Sequence, residues 1–210
     1  MTASKQPRDR RRGRYVHRTA VWPSIAILAS ALLLALAPTA SLASTTSTTV
    51  AAGTGTSFVT SFTPSHLRQD FSGWVGMTLN VGAADLSVSA LGRWVVAGNS
   101  AAHTVKVVDA ATGADVAGAT VSVPTAGAAA GSFAYARLAA PVTLRAGGSY
   151  YLVSQESAGG DTWYDYDNHV VTTAAGTDTG AVYATAASPT GWTAGGSTGM
   201  AYVPPSFLYG

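Results

Sequence analysis

Apolar and polar residues alternate along most of this chain, and turn-forming Gly, Pro, Asn and Asp break the pattern every 8–12 residues or so. That leaves few choices other than antiparallel β-sheet. In His103–Asp109, Val105 and Val107 fall on one face, with Thr104 and Lys106 on the other. Leu86–Ser89 alternates in the same way, and Ala111-Thr112-Gly113 supplies a hairpin turn before Val116–Val123. From Phe71 onward no stretch carries the 3.6-residue stripe of an amphipathic helix. The same reasoning predicts strands over Phe58–Phe62, Trp74–Val81, Phe133–Leu138, Pro141–Leu144, Tyr150–Gln155, Trp163–Asp167, Ala181–Ala184 and Tyr202–Tyr209. Pro204-Pro205 is expected to confine the last of these to a sheet edge. The expected fold class is all-β, an antiparallel β-sandwich or jelly roll of about nine or ten strands.

The N-terminus has a different character. Lys5, Arg8, Arg10, Arg11, Arg12, Arg14 and Arg18 precede the apolar run Ile25–Ala37, and Ser41-Leu42-Ala43 places small residues before Ser44. This is the layout of a cleaved secretory signal over residues 1–43. The apolar run is short of the roughly 20 residues that a membrane span requires. A Ser/Thr/Gly-rich lead over 44–56 and a single domain over 57–210 would follow. The expected location is therefore extracellular, with no membrane association once the signal is removed.

Removing that segment reverses the sign of the charge. Residues 44–210 carry five basic and nine acidic side chains, a net charge of −4. The five cations (Arg68, Arg93, Lys106, Arg137, Arg145) are scattered, which excludes a basic patch for nucleic acid. The chain has no cysteine. Disulfides, thiolate metal sites and cysteine nucleophiles are excluded, and the domain must be held by its core alone.

Candidate chemistry concentrates in Tyr150–Asn168, where Tyr150, Tyr151, Trp163, Tyr164 and Tyr166 lie close to Glu156, Asp161, Asp165 and Asp167. On an extended Trp163–Asp167, Trp163, Asp165 and Asp167 share one face. With the tyrosines facing the core, that face offers a ring to stack on a sugar and two carboxylates to accept from its hydroxyls. Otherwise Trp163 is a core residue and the acids solvate the loop or cap turns. Asp161, Asp165, Asp167 and Asn168 would alternatively supply oxygen ligands to a structural calcium, although their spacing is not that of an EF-hand. Glu156 with an aspartate could formally make a glycosidase pair. Gly195-Gly-Ser197-Thr-Gly199 matches a serine-hydrolase pattern but lacks a following helix or a downstream His. Arg93 beside Trp94 reads as a solvated edge residue, and His103 as a partly exposed strand residue.

Several phrases also occur in a fixed order: Phe71-Ser-Gly-Trp-Val-Gly-Met, Leu91-Gly-Arg-Trp-Val-Val, His103-Thr-Val-Lys-Val-Val-Asp-Ala-Ala-Thr-Gly, Pro141-Val-Thr-Leu-Arg-Ala-Gly-Gly-Ser-Tyr-Tyr and Trp163-Tyr-Asp-Tyr-Asp. Together they resemble an uncharacterised bacterial secreted β-sandwich (jelly-roll) accessory module, often found beside glycoside hydrolases or esterases. The resemblance implies a non-catalytic accessory role, with a polysaccharide or cell-envelope glycan as partner, and carries over no binding residue. The alternatives are a structural or protein-interaction module of the cell surface and, third, a hydrolase.

Overall fold

The computed structural model describes residues 54–185 and 191–210. The expected signal segment and most of the lead that follows it lie outside them. All regular structure among the described residues is β. In chain order the strands are β1 (Thr56–Ser57), β2 (Val59–Thr63), β3 (Leu67–Arg68), β4 (Gly73–Val81), β5 (Leu86–Trp94), β6 (Ala102–Asp109) and β7 (Asp115–Pro124). They continue with β8 (Phe133–Leu144), β9 (Ser149–Glu156), β10 (Trp163–Tyr164), β11 (His169–Thr172), β12 (Gly176–Ala184), β13 (Thr193–Gly195) and β14 (Pro205–Tyr209).

A six-stranded sheet, ordered β13-β12-β4-β9-β6-β7, faces a four-stranded sheet, ordered β1-β14-β5-β8. Every pairing is antiparallel, and β3–β10 and β2–β11 form two small ribbons. The fold class is thus the expected one, with fourteen strands in place of nine or ten because five elements are only two to four residues long. The core is the sandwich filling. Met77 and Leu79 of β4, Val105 and Val107 of β6 and Leu152 of β9 meet Val88 and Leu91 of β5, Leu144 of β8 and Phe207 of β14. Phe58 stacks on Phe207 with ring centroids 4.5 Å apart.

Three departures from the expected strand pattern have local causes. Phe133–Leu138 and Pro141–Leu144 are one strand, β8, which forms the edge of its sheet and so tolerates Pro141. Strand β14 lies between β1 and β5 and is not an edge. Its prolines are tolerated there because β1 pairs only with Leu208 and Tyr209, at the far end of β14. The third departure is a register shift in β5 between Val88 and Ala90, seen against both neighbours. An extra residue exchanges the faces of everything beyond it, so Leu91 joins the core and Arg93 points inward with it.

Arg93 is fully buried, a correction to its reading as a solvated edge residue. Its Nε and Nη2 donate to Oε1 and Oε2 of Glu156, each at 3.0 Å, in a fork-on-fork pair that crosses from β5 to β9 and so joins the two sheets. His103, also buried, extends the network: Nδ1 lies 3.2 Å from both the Gln155 carbonyl and Glu156 Oε2, and Nε2 lies 3.0 Å from Asp161 Oδ2. Asp161 further accepts from the backbone N–H groups of Ser100 and Ala101 and from the Thr125 hydroxyl. Burial opposes the charged form of all three titratable partners, but their mutual bonds prevail. Glu156 and Asp161 are held below the ordinary carboxylate range, and His103 is raised. Both ring nitrogens of His103 therefore face acceptors and carry protons. Arg93, His103, Glu156 and Asp161 together are electrically neutral.

A second buried acid has no such partner. At the β12 bulge between Asp178 and Gly180, Gly180 adopts φ 144° and donates its N–H to Asp178 Oδ1. Asp178 Oδ2 is buried without a hydrogen bond, and burial pushes the carboxyl up to about 7.

These contacts set the stability profile. Glu156→Ala leaves the buried Arg93 guanidinium without its carboxylate and should cost about 3–5 kcal/mol in urea unfolding; a loss below about 1 kcal/mol would contradict the inter-sheet role. The carboxylates' contribution is complete above their unfolded range near 4 and falls away in acid, whereas that of His103 is complete below 6.5 and lost as pH rises through its raised value. Asp178 keeps its proton in the folded state up to about 7 while the unfolded chain releases it from 3.8. Stability therefore falls by about 1 kcal/mol per pH unit across that window. Asp178→Asn should gain stability over the wild type progressively from pH 4 to 7, measured as denaturant midpoints; parallel profiles would refute the assignment.

Candidate functional site

The network at the end of the sandwich also fixes the next segment of chain. Arg93 Nη2 and Asn99 Nδ2 both donate to the Thr162 carbonyl, at 3.3 and 3.0 Å, and Thr162 Oγ1 returns a bond to Asn99 Oδ1. Trp163 follows directly, paired with Arg68 across the β3–β10 ribbon. It is 1% exposed and packs on Val75 and Val203. Of the two readings of Trp163, the structure has the core ring and not the exposed platform, and β10 ends at Tyr164. Trp163, Asp165 and Asp167 therefore do not form one strand face.

Trp163 nevertheless lines a surface cleft of 240 Å³, together with Arg68, Phe71, Val75, Tyr183 and Tyr202. The Arg68 guanidinium lies over the Trp163 ring, 5.0 Å from its centroid. It is steered by Asp70, through Nε at 2.9 Å, and by Asp165, through Nη1 at 3.1 Å. Tyr202 meets Trp163 edge-on at 5.9 Å, Tyr166 at 5.5 Å and Tyr183 at 6.3 Å, and Tyr183 meets Phe71 at 6.1 Å. The Trp163 indole N–H has no hydrogen-bond partner, an unmet buried donor in a side chain that lines the cleft. Burial, reinforced by the Asp165 charge, raises the Tyr202 phenol and keeps it protonated.

Tyr202 is held by backbone. Its N–H donates to the Gly76 carbonyl at 3.1 Å, and the Val203 N–H donates to the Tyr164 carbonyl at 2.9 Å. Val203 sits at φ 94°, a region that β-branched residues avoid. Asn168 completes the clamp, donating through Nδ2 to the carbonyls of Asp165 and Ala201.

The four residues expected to gather around calcium are each engaged separately. Asp161 belongs to the His103 network, Asp165 pairs with Arg68, Asp167 accepts from exposed His66 at 2.6 Å, and Asn168 pins Ala201. Among the described residues no three His, Asp or Glu side chains converge in a metal-holding arrangement. Glu156 is committed to Arg93 and His103 and has no second carboxylate across a cleft. His103, with both nitrogens bonded to acceptors, has none free to take a proton from a nucleophile. Ser197 lies in the turn before Met200, whose N–H bonds to the Ser197 carbonyl.

The site therefore keeps Trp163 and Asp165 from the expected set and adds Arg68, Phe71, Tyr183 and Tyr202. The added residues span positions 68 to 202, and only the topology joins them. The one local signal is Tyr183, whose alternation within Ala181–Ala184 sets it on the same face as Val75, its cross-strand partner. No protein-family model matches the chain, and no curated protein matches it.

Proposed function

We propose that this domain is a secreted, non-catalytic binding module whose ligand is a glycan of the cell envelope or another polysaccharide, held in the Trp163–Tyr183–Tyr202 cleft. The observation that carries this reading is the combination of four aromatic side chains with a few oriented polar groups in one concave site. Apolar ring faces and edges suit the C–H faces of pyranose rings. The Arg68–Asp165 pair and the phenol hydroxyls offer donors and acceptors for sugar hydroxyls. The leading residues are fixed by packing and by backbone bonds before any ligand arrives, which lowers the entropic cost of binding.

A second reading, a protein-interaction surface, is favoured by the exposure of Leu67 and Tyr166, at 51% and 42%. It places the contact on the rim of the site and not within it.

Affinity electrophoresis of the processed chain, residues 44–210, through a panel of neutral and amine-bearing polysaccharides tests the first reading. At least one polymer should retard the wild type. Tyr202→Ala should weaken that retardation by about tenfold. Tyr183→Ala, at the facing wall of the cleft, should weaken it about two- to tenfold. Near-UV circular dichroism verifies that each variant is folded. Folded Tyr202→Ala migrating like the wild type, or no retardation by any polymer, would rule the cleft out.

A further inference from the structure

The cleft has a neighbour. Tyr183 and Tyr202 also wall a second cavity of 220 Å³, which is completed by Tyr166, Ala181, Thr193 and the glycines at 195 and 196. The two cavities share these two tyrosines, so one ligand chain could pass from the first to the second. Their linings differ in kind. The first contains a guanidinium, whereas the second has three phenol rings and no charged side chain among its described residues. The rings stand at steep angles, with Tyr183 at 89° and Tyr166 at 66° to Tyr202. Rings set as the corner of a box present both faces and edges to a compact group inside it.

Among the described residues, both Asp165 and Arg68 act on the Tyr202 phenol, and Arg68 is matched by Asp70 as well as by Asp165, which leaves an excess of negative charge beside the box. Residues 44–210 as a whole carry a net charge of −4. An anionic sugar would meet this field without a free cation to pair with. A protonated amine would meet the negative faces of aromatic rings and a favourable field, as in aromatic cages for ammonium groups.

We infer that the two cavities are consecutive subsites for a basic glycan, with the three-tyrosine cavity taking a sugar residue that bears a free ammonium group. The inference rests on the glycan-binding reading of the first cleft and adds the ligand's charge class and its minimum length of two residues. Uronic-acid and phosphate-bearing polymers are the class it excludes. Acetylation of the amine removes the cation.

Isothermal titration of the processed chain, residues 44–210, at about pH 6, where sugar amines are protonated, tests it with three probes: a glucosamine hexamer, its N-acetylated counterpart and polygalacturonate. The glucosamine hexamer should bind about tenfold more tightly than the N-acetylated one, and polygalacturonate should not bind. Tyr166→Ala changes an exposed rim residue and leaves the net charge as it is. It should bring the glucosamine hexamer down to the affinity of the N-acetylated one, as should Tyr183→Ala. Equal or tighter binding of the N-acetylated hexamer that still depends on Tyr202 would overturn the ammonium assignment and leave the cleft reading standing. A glucosamine preference that survives both tyrosine substitutions would reflect diffuse attraction to the acidic chain and would overturn it too. Absence of binding by all three probes and by every neutral polysaccharide would remove the cleft reading along with it.

Discussion

The bidentate pair between Arg93 and Glu156 joins the four-stranded sheet to the six-stranded one at the end of the sandwich, and much of the rest follows from its being buried. Two charges taken out of water lose several kcal/mol of solvation each, and their attraction repays this only if the remaining donors and acceptors are satisfied. Here they are. Ser154 donates to Glu156 Oε1 at 2.7 Å, the Trp94 and Thr162 carbonyls accept from the guanidinium, and His103 carries the charge balance on to Asp161. An apolar pair of equal volume would hold the sheets at least as well. What the ion pair adds is geometric: a planar fork admits one relative placement of β5 and β9 and one position for the Thr162 carbonyl. In a chain without cysteine, that directional link does what a hydrophobic contact cannot.

The fold class was open to reading because alternation is a local property. His103–Asp109 and Tyr150–Gln155 display their faces within seven or eight residues, and both became strands of the six-stranded sheet, β6 and β9. Where the reading failed, a non-local event had intervened. Counted by twos from Leu86, Arg93 falls on the outer face; the register shift after Val88 turns it inward. Nothing in Val88-Ser89-Ala90 announces a bulge, since the residue that loops out carries no glycine or proline signature. The tyrosines and acids of Trp163–Asp167 read as a strand because rings and charges alternate there. Yet the ribbon partner β3 is two residues long, and the pairing closes with the bond from the Asp165 N–H to the His66 carbonyl, so β10 stops at Tyr164.

The candidate site was legible only in outline. The crowded stretch Tyr150–Asn168 contains Trp163, which lines the cleft, and Asp165, which steers Arg68 over it. Reading that stretch as one site misassigned the parts, because proximity in sequence says little about which acids share a partner. Asp161, Asp165 and Asp167 lie within seven residues, yet one serves His103, one Arg68 and one His66. Each acid satisfied by its own cation or backbone donors has less reason to join its neighbours around a divalent ion, whose binding would require those bonds to be exchanged. The walls of the cleft come instead from Phe71, Tyr183 and Tyr202, one from each of three distant segments, and their convergence depends on β12 lying beside β4.

The ion pair and the cleft are one mechanical unit. Arg93 fixes Thr162, Thr162 precedes Trp163, and Trp163 floors the cleft against Val75 and Val203. On the opposite wall, Asn168 and the Tyr164 carbonyl hold the Ala201–Val203 segment with Val203 in a strained conformation, which fixes Tyr202. A recognition site made of ring faces gains affinity only if the rings are in place beforehand, because each side chain ordered on binding forfeits about 0.5–1.5 kcal/mol. Burying Trp163 is consistent with that requirement. In the proposed glycan site, an exposed indole would offer more contact area but a free rotor, whereas a locked floor leaves recognition to the tyrosine walls. On that proposal, a polar network that costs desolvation at the end of the sandwich has a use: it holds still the residues on which a stacking-based interaction would depend.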